Sequence, residues 1–127
     1  DAVLTGDTLF GAGCGKVFEG DAAMMHASLA KLAALPAETR VYFGHEYTAG
    51  NLRFAAAVEP DNTAIAERTR ALQVPTPGGT IALERATNPF VRTAVPAVVV
   101  AAKANGATGD SGPEVFHALR EWKNRFK

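Results

Sequence analysis

Two short apolar, β-prone segments, Ala2 to Thr5 and Arg40 to Phe43, each run into a glycine and then a strongly polar side chain. Gly6 precedes Asp7 in the first case, and Gly44 precedes His45 in the second. Between them lie a loop too rich in glycine to be helical (Gly11, Gly13, Gly15, Gly20) and one helix over residues 21 to 35. Asp21 can cap that helix, Met25, Leu29, Leu32 and Leu35 fall on one face, and Pro36 stops it. Strand, loop, helix, strand is the grammar of an α/β layer. In such layers functional side chains gather where strands end, so the equivalent places of Asp7 and His45 suggest a shared site. Two strands and one helix cannot cover both faces of a sheet, and this segment by itself is a poor folding unit.

From Thr48 onward the pattern is helical. Residues 49–58 and 61–72 read as helices separated by a turn at Glu59 and Pro60, followed by a Pro/Gly-rich connector from Val74 to Thr80. A helical turn over 81–87, an apolar helix over 97–104 and a last helix opened by Gly112 and Pro113 complete the chain. On that last helix Val115, Leu119, Trp122 and Phe126 make the buried stripe. The expected organisation is a partial α/β core over 1–48 and a small helical domain over 49–127.

Thirteen acidic and thirteen basic residues balance, so nothing electrostatic points to nucleic acid or an anionic membrane. The longest apolar run, Ala94 to Ala102, contains Pro96 and is too short to span a bilayer. No signal peptide is recognised. The chain opens on Asp1 rather than Met, and the start of the gene product is expected to lie outside it. The lone Cys14 excludes an internal disulfide and leans toward a reducing compartment. Between Gly13 and Gly15 it is expected to be a small residue fitting a tight turn rather than a nucleophile.

Asp7 and His45 could share a metal, because carboxylate and imidazole both ligate zinc and similar ions. Two ligands do not make a catalytic site, which needs about three from the protein. His26, within a helix, and His117, near the polar face of the last helix, are not expected to complete it. Residue chemistry alone stops at a possible half-site.

The stretches TGDTLFGAGCGKVFEG (5–20), VYFGHEYT (41–48) and NLRFAAAVEPDN (51–62), followed by ATNPFVR (86–92) and EVFHALREWKNRFK (114–127), resemble the glyoxalase II, or hydroxyacylglutathione hydrolase, family in the same order. The resemblance covers essentially the whole chain. It implies the C-terminal part of a metallo-β-lactamase αββα sandwich followed by an α-helical domain. It further implies a parent enzyme that hydrolyses S-D-lactoylglutathione to D-lactate and glutathione. Two divalent metals are implied, zinc first and iron or manganese otherwise, with Asp7 bridging them and His45 binding one. Such a pair lowers the pKa of water toward neutrality and stabilises the charge that develops on the thioester carbonyl.

The same resemblance implies that Lys16, with Val17 and Phe18 beside it, contacts glutathione. Glu46 and Tyr47 would border the pocket, and Arg120 with Lys123 would hold a glutathione carboxylate. Three residues apart, Arg120 and Lys123 emerge on one helix face. Without the resemblance they read as the wet face of an amphipathic helix. Three departures stand out. Phe18 replaces a frequent tyrosine, the 74–80 connector is short, and the HxHxDH motif with a further ligand histidine, which lies upstream of the GD strand in the family, has no match here. A fragment inactive by itself, from a monomeric cytoplasmic parent, is the expectation. The alternatives are a persulfide dioxygenase or related glutathione-dependent enzyme of the same superfamily, and a non-catalytic binding module.

Overall fold

The computed structural model describes residues 2–6, 8–15, 22–43, 47–73 and 79–126. Asp7, Lys16, Val17, Phe18, His45, Glu46, the Asp21 cap and most of the connector therefore lie outside the described residues. Strand β1 (Ala2–Gly6) is followed by two very short strands, β2 (Leu9–Phe10) and β3 (Gly13–Cys14), and by helix α1 (Ala22–Ala33). Strand β4 (Arg40–Phe43) leads into helices α2 (Thr48–Val58) and α3 (Thr63–Arg70). Then come β5 (Gly79–Thr80), α4 (Ile81–Thr87), a 3₁₀ turn (Pro89–Val91), α5 (Pro96–Ala104) and α6 (Gly112–Arg125). The fold is mixed α/β, mostly helical, with two small sheets.

In the first sheet β4 is central: β1 pairs with it in parallel, and β5 pairs with it antiparallel. Val3 is partnered with Val41, and both point toward the helices, with Val41 fully buried. Their neighbours Leu4 and Tyr42 are also partnered and lie on the opposite face, where Leu4 is 84% exposed. The helices thus cover one side of this sheet, as side-chain alternation requires.

Sequence periodicity located the helices within a few residues. The first part of the stretch read as a glycine loop is the turn and second strand of a β-hairpin: Leu9 pairs with Cys14 and Phe10 with Gly13. Two-residue strands are too short to show a period, which is why they read as loop. Likewise Gly79 and Thr80, read as connector, extend the sheet as β5. Local chemistry explains the helix ends. Asn62 caps α3 through Ala64 N and Ile65 N, Thr80 caps α4 through Leu83 N, and Ser111 with Glu114 forms a capping box on α6. Arg85 from α4 donates to the carbonyls of Ala33 and Leu35 at the C-terminal end of α1, where a cation suits the helix dipole.

The main core joins α1, α2, α5 and α6 around an aromatic cluster. Phe54 stacks on Phe90 with ring centroids 5.9 Å apart and meets Trp122 and Phe126 edge-on at 5.1 and 5.4 Å. Val115 and Leu119 of the expected stripe are fully buried, while Trp122 and Phe126 pack partly buried against the cluster. A second, smaller core holds Ala12, Leu52, Ala55 and Ile65, with Leu72 against it. Truncating Phe54 to Ala should cost about 3–5 kcal/mol of stability, because the site is fully enclosed and aromatic on three sides. Urea denaturation of the variant measures this, and a loss below about 1 kcal/mol would contradict the packing described.

Candidate functional site at the strand ends and hairpin

Strands β1 and β4 run in parallel and finish in register, with Gly6 opposite Phe43. The register shifts between Leu4 and Gly6, and Gly6 has φ +53°, a left-handed conformation that glycine adopts without steric cost. Thr5, buried at this irregularity, has its hydroxyl 2.7 Å from Leu9 O and 3.1 Å from Tyr42 O, fastening β1, β4 and the hairpin base together. In sequence the two strand ends continue into Asp7 and into Gly44, His45 and Glu46. Beside them Phe10 meets Phe43 edge-on at 6.3 Å and Tyr47 at 5.0 Å. Tyr47, half exposed, thus stands at the start of α2 against the hairpin.

The hairpin turns through Gly11 and Ala12, and Ala12 has φ +59° with its side chain fully buried. Positive φ at only the second loop position is the type II pattern, whose twist matches hairpin strands poorly and which favours glycine there. The surroundings supply the compensation. Ala12 N donates to Glu84 Oε1 at 2.9 Å, Asn51 Nδ2 to Gly11 O at 3.1 Å, and Asn88 Nδ2 to Gly13 O at 2.9 Å. The Ala12 methyl packs in the smaller core. A Cβ added at Gly11 would lie 2.5 Å from Thr48 Oγ1, and one at Gly13 would lie 2.4 Å from Asn51 Nδ2, so both positions require glycine.

Arg120 is not on a wet helix face. It is 7% exposed, its guanidinium lies 5.3 Å from the Phe90 ring centre, and its Nη1 donates to Cys14 O at 3.2 Å and more weakly to Gly15 O at 3.5 Å. Its Nε and Nη2 donate to Asn124 Oδ1 at 3.3 and 3.1 Å. The charges of Arg120 and Lys123 both act on the Cys14 thiol. Arg120 therefore stands at the downstream leg of the hairpin, which continues in sequence into Lys16. Nothing in the sequence pattern signalled the burial of Arg120, since its helical spacing matches an exposed face as well.

Of the remaining candidates, His117 is exposed. His26 pairs with Thr93 Oγ1 at 2.9 Å, meets Phe116 edge-on, and has its pKa lowered by desolvation. Neither histidine joins a ligand cluster, and no group of three or more His, Cys, Asp or Glu able to hold a metal occurs among the described residues. Burial pushes the Cys14 thiol up to about 11, against the lowering effects of Arg120 and Lys123. A thiol so held is not a nucleophile near neutrality. It should react with a thiol reagent at pH 8 only as the protein unfolds, and rapid labelling of native protein would contradict this. The unfolded thiol ionises near 9.0 and the folded one near 11, so the stability contributed by this group is fully present below pH 9 and falls across that window.

Sequence comparison with known proteins places the chain in a family. The family described as hydroxyacylglutathione hydrolase C-terminus matches residues 46–126. A hydroxyacylglutathione hydrolase of Cupriavidus taiwanensis is 53% identical over 99% of this chain and 50% of its own length. One from Pseudomonas fluorescens is 53% identical over 98% of this chain and 51% of its own length. One from Vibrio parahaemolyticus is 50% identical, again over 98% of this chain and 51% of its own length. The chain thus spans about half the length of the curated relatives it matches, and it belongs to the hydroxyacylglutathione hydrolase C-terminus family.

Proposed function

We propose that the chain is the C-terminal half of a glyoxalase II-type hydrolase that cleaves S-D-lactoylglutathione to D-lactate and glutathione. The observation that carries this reading is the register of β1 and β4. Two parallel strands end side by side at Gly6 and Phe43, and the GD and GHEY segments continue from those ends. The names and identities of the relatives support a thioester hydrolase over a persulfide dioxygenase or a non-catalytic module.

Within this reading Asp7 and His45 would help to hold a pair of divalent metals, zinc first and iron or manganese otherwise. Carboxylate and imidazole fit that role in kind, but two ligands fall short in number. The others would come from the half of the protein that this chain does not span, so the chain alone does not hydrolyse the thioester. A bound metal pair supplies Lewis acidity and water of lowered pKa. This chain supplies orientation. Lys16, Arg120 and Lys123 would supply positive charge for a carboxylate-bearing tripeptide, and Val17, Phe18, Glu46 and Tyr47 would border it. Arg120 contributes Nη1 to the Cys14 and Gly15 carbonyls, so it also orders the segment leading to Lys16. The partial α/β core over 1–48 would complete a metallo-β-lactamase sandwich in the longer protein, with 49–127 as its substrate-binding helical domain. The parent is read as monomeric and cytoplasmic, and no helix among the described residues is long and apolar enough to cross a membrane.

In the full-length parent, Asp7→Ala should abolish hydrolysis of S-D-lactoylglutathione. Wild-type turnover with two metals still bound would sink the assignment. Arg120→Ala should raise KM more than it lowers kcat, and an unchanged KM would count against a role in substrate binding. Oxygen consumption with glutathione persulfide, in place of thioester hydrolysis, would favour the dioxygenase reading.

A further inference from the structure

The hairpin tip sits in a polar socket that lies outside the metal and glutathione residues assigned above. At its centre is Glu84 of α4, 2% exposed and engaged on both carboxylate oxygens. Oε1 accepts from Ala12 N and from Asn88 Nδ2, each at 2.9 Å, while Oε2 accepts from Arg68 Nη2 at 2.8 Å. Arg68, also buried along its side chain, uses Nη1 to reach Thr87 Oγ1 at 2.8 Å. Asn51 and Asn88 hold the flanking carbonyls of Gly11 and Gly13. Three helices and the turn after α4 thus converge on three hairpin residues.

We infer that Glu84 is a positioning residue for substrate binding, which acts by fixing the Gly11–Gly13 tip and thereby the Cys14–Gly15 segment that Arg120 grips. This rests on the thioester-hydrolase reading. The direction of the effect follows from how the two hairpin legs are fastened. The upstream leg is tied to β1 independently, through Thr5 Oγ1 to Leu9 O and Thr8 N to Thr5 O. The downstream leg is held by its pairing with that leg, by the socket at the tip and by Arg120. Loosening the tip therefore displaces the downstream leg as far as Gly15, with Arg120, more than the strand end at Gly6.

Glu84→Gln in the full-length parent is the direct test. The amide keeps an acceptor for Ala12 N–H but removes the charge that Arg68 faces, leaving that guanidinium buried without its counter-ion. In folded, metal-loaded E84Q, KM for S-D-lactoylglutathione should rise several-fold with a smaller change in kcat. Amide exchange at Ala12 should accelerate relative to wild type. Asn51→Ala loosens the same tip without stranding a charge, and it should change KM and exchange in the same directions even if E84Q fails to fold. Unchanged KM in the folded variants, or a fall in kcat accompanied by loss of metal, overturns the substrate-side role. Unchanged exchange at Ala12 overturns the clamp itself. A wild-type parent that does not hydrolyse the thioester overturns the underlying reading and the substrate role with it, and the exchange arm then decides the clamp separately.

Discussion

A carboxylate withdrawn from water must be neutralised and hydrogen-bonded on every side, and the Glu84 site is organised around that demand. Arg68 supplies the charge, while Ala12 N and Asn88 supply the remaining donors. One of those donors belongs to the tip of a hairpin far away in sequence, so satisfying Glu84 requires the hairpin to be seated among the helices. That requirement makes the α/β part and the helical part mutually dependent. It also explains a fully buried alanine at positive φ: the conformational cost at Ala12 is offset by its N–H bond to Glu84 and by its methyl contact with Leu52, Ala55 and Ile65.

The hairpin therefore ties the strand ends to the last helix, in addition to the core they share. At its base, Thr5 joins it to the paired ends of β1 and β4. At its downstream leg, Arg120 reaches from the last helix to the carbonyls of Cys14 and Gly15. In sequence the proposed metal residues continue from the first region, Tyr47 stands beside it, and Arg120 belongs to the second. Catalysis by positioned groups depends on holding such sets in a fixed relation, and a short, glycine-rich, fully fastened hairpin is one way to do so. The glycines are set by close approach, because side chains at Gly11 and Gly13 would collide with Thr48 and Asn51.

Much of this was legible in the sequence. The helices announced themselves through 3.6-residue spacing, Pro36 and the Gly112–Pro113 start, and the strand–glycine–polar pattern picked out the two strand ends that the structure pairs. The hairpin did not, because two-residue strands carry no period and glycines suggest loop. Glu84 was invisible for a different reason: on a seven-residue helix a charged residue reads as solvated, and only tertiary packing reveals that it is enclosed. Arg120 was misread by residue chemistry for the same reason, while the family resemblance directed attention to it without indicating its bonds to the hairpin.

The central claim is that this chain contributes two ligands to a two-metal hydrolase site and is completed by the rest of a longer protein. Elemental analysis of metal stoichiometry, run in parallel on the full-length protein and on this chain, tests it most directly. The account requires two metals per full-length molecule and no stoichiometric pair on this chain. Two tightly bound metals on this chain alone, or a correctly folded full-length protein that binds none, would contradict it.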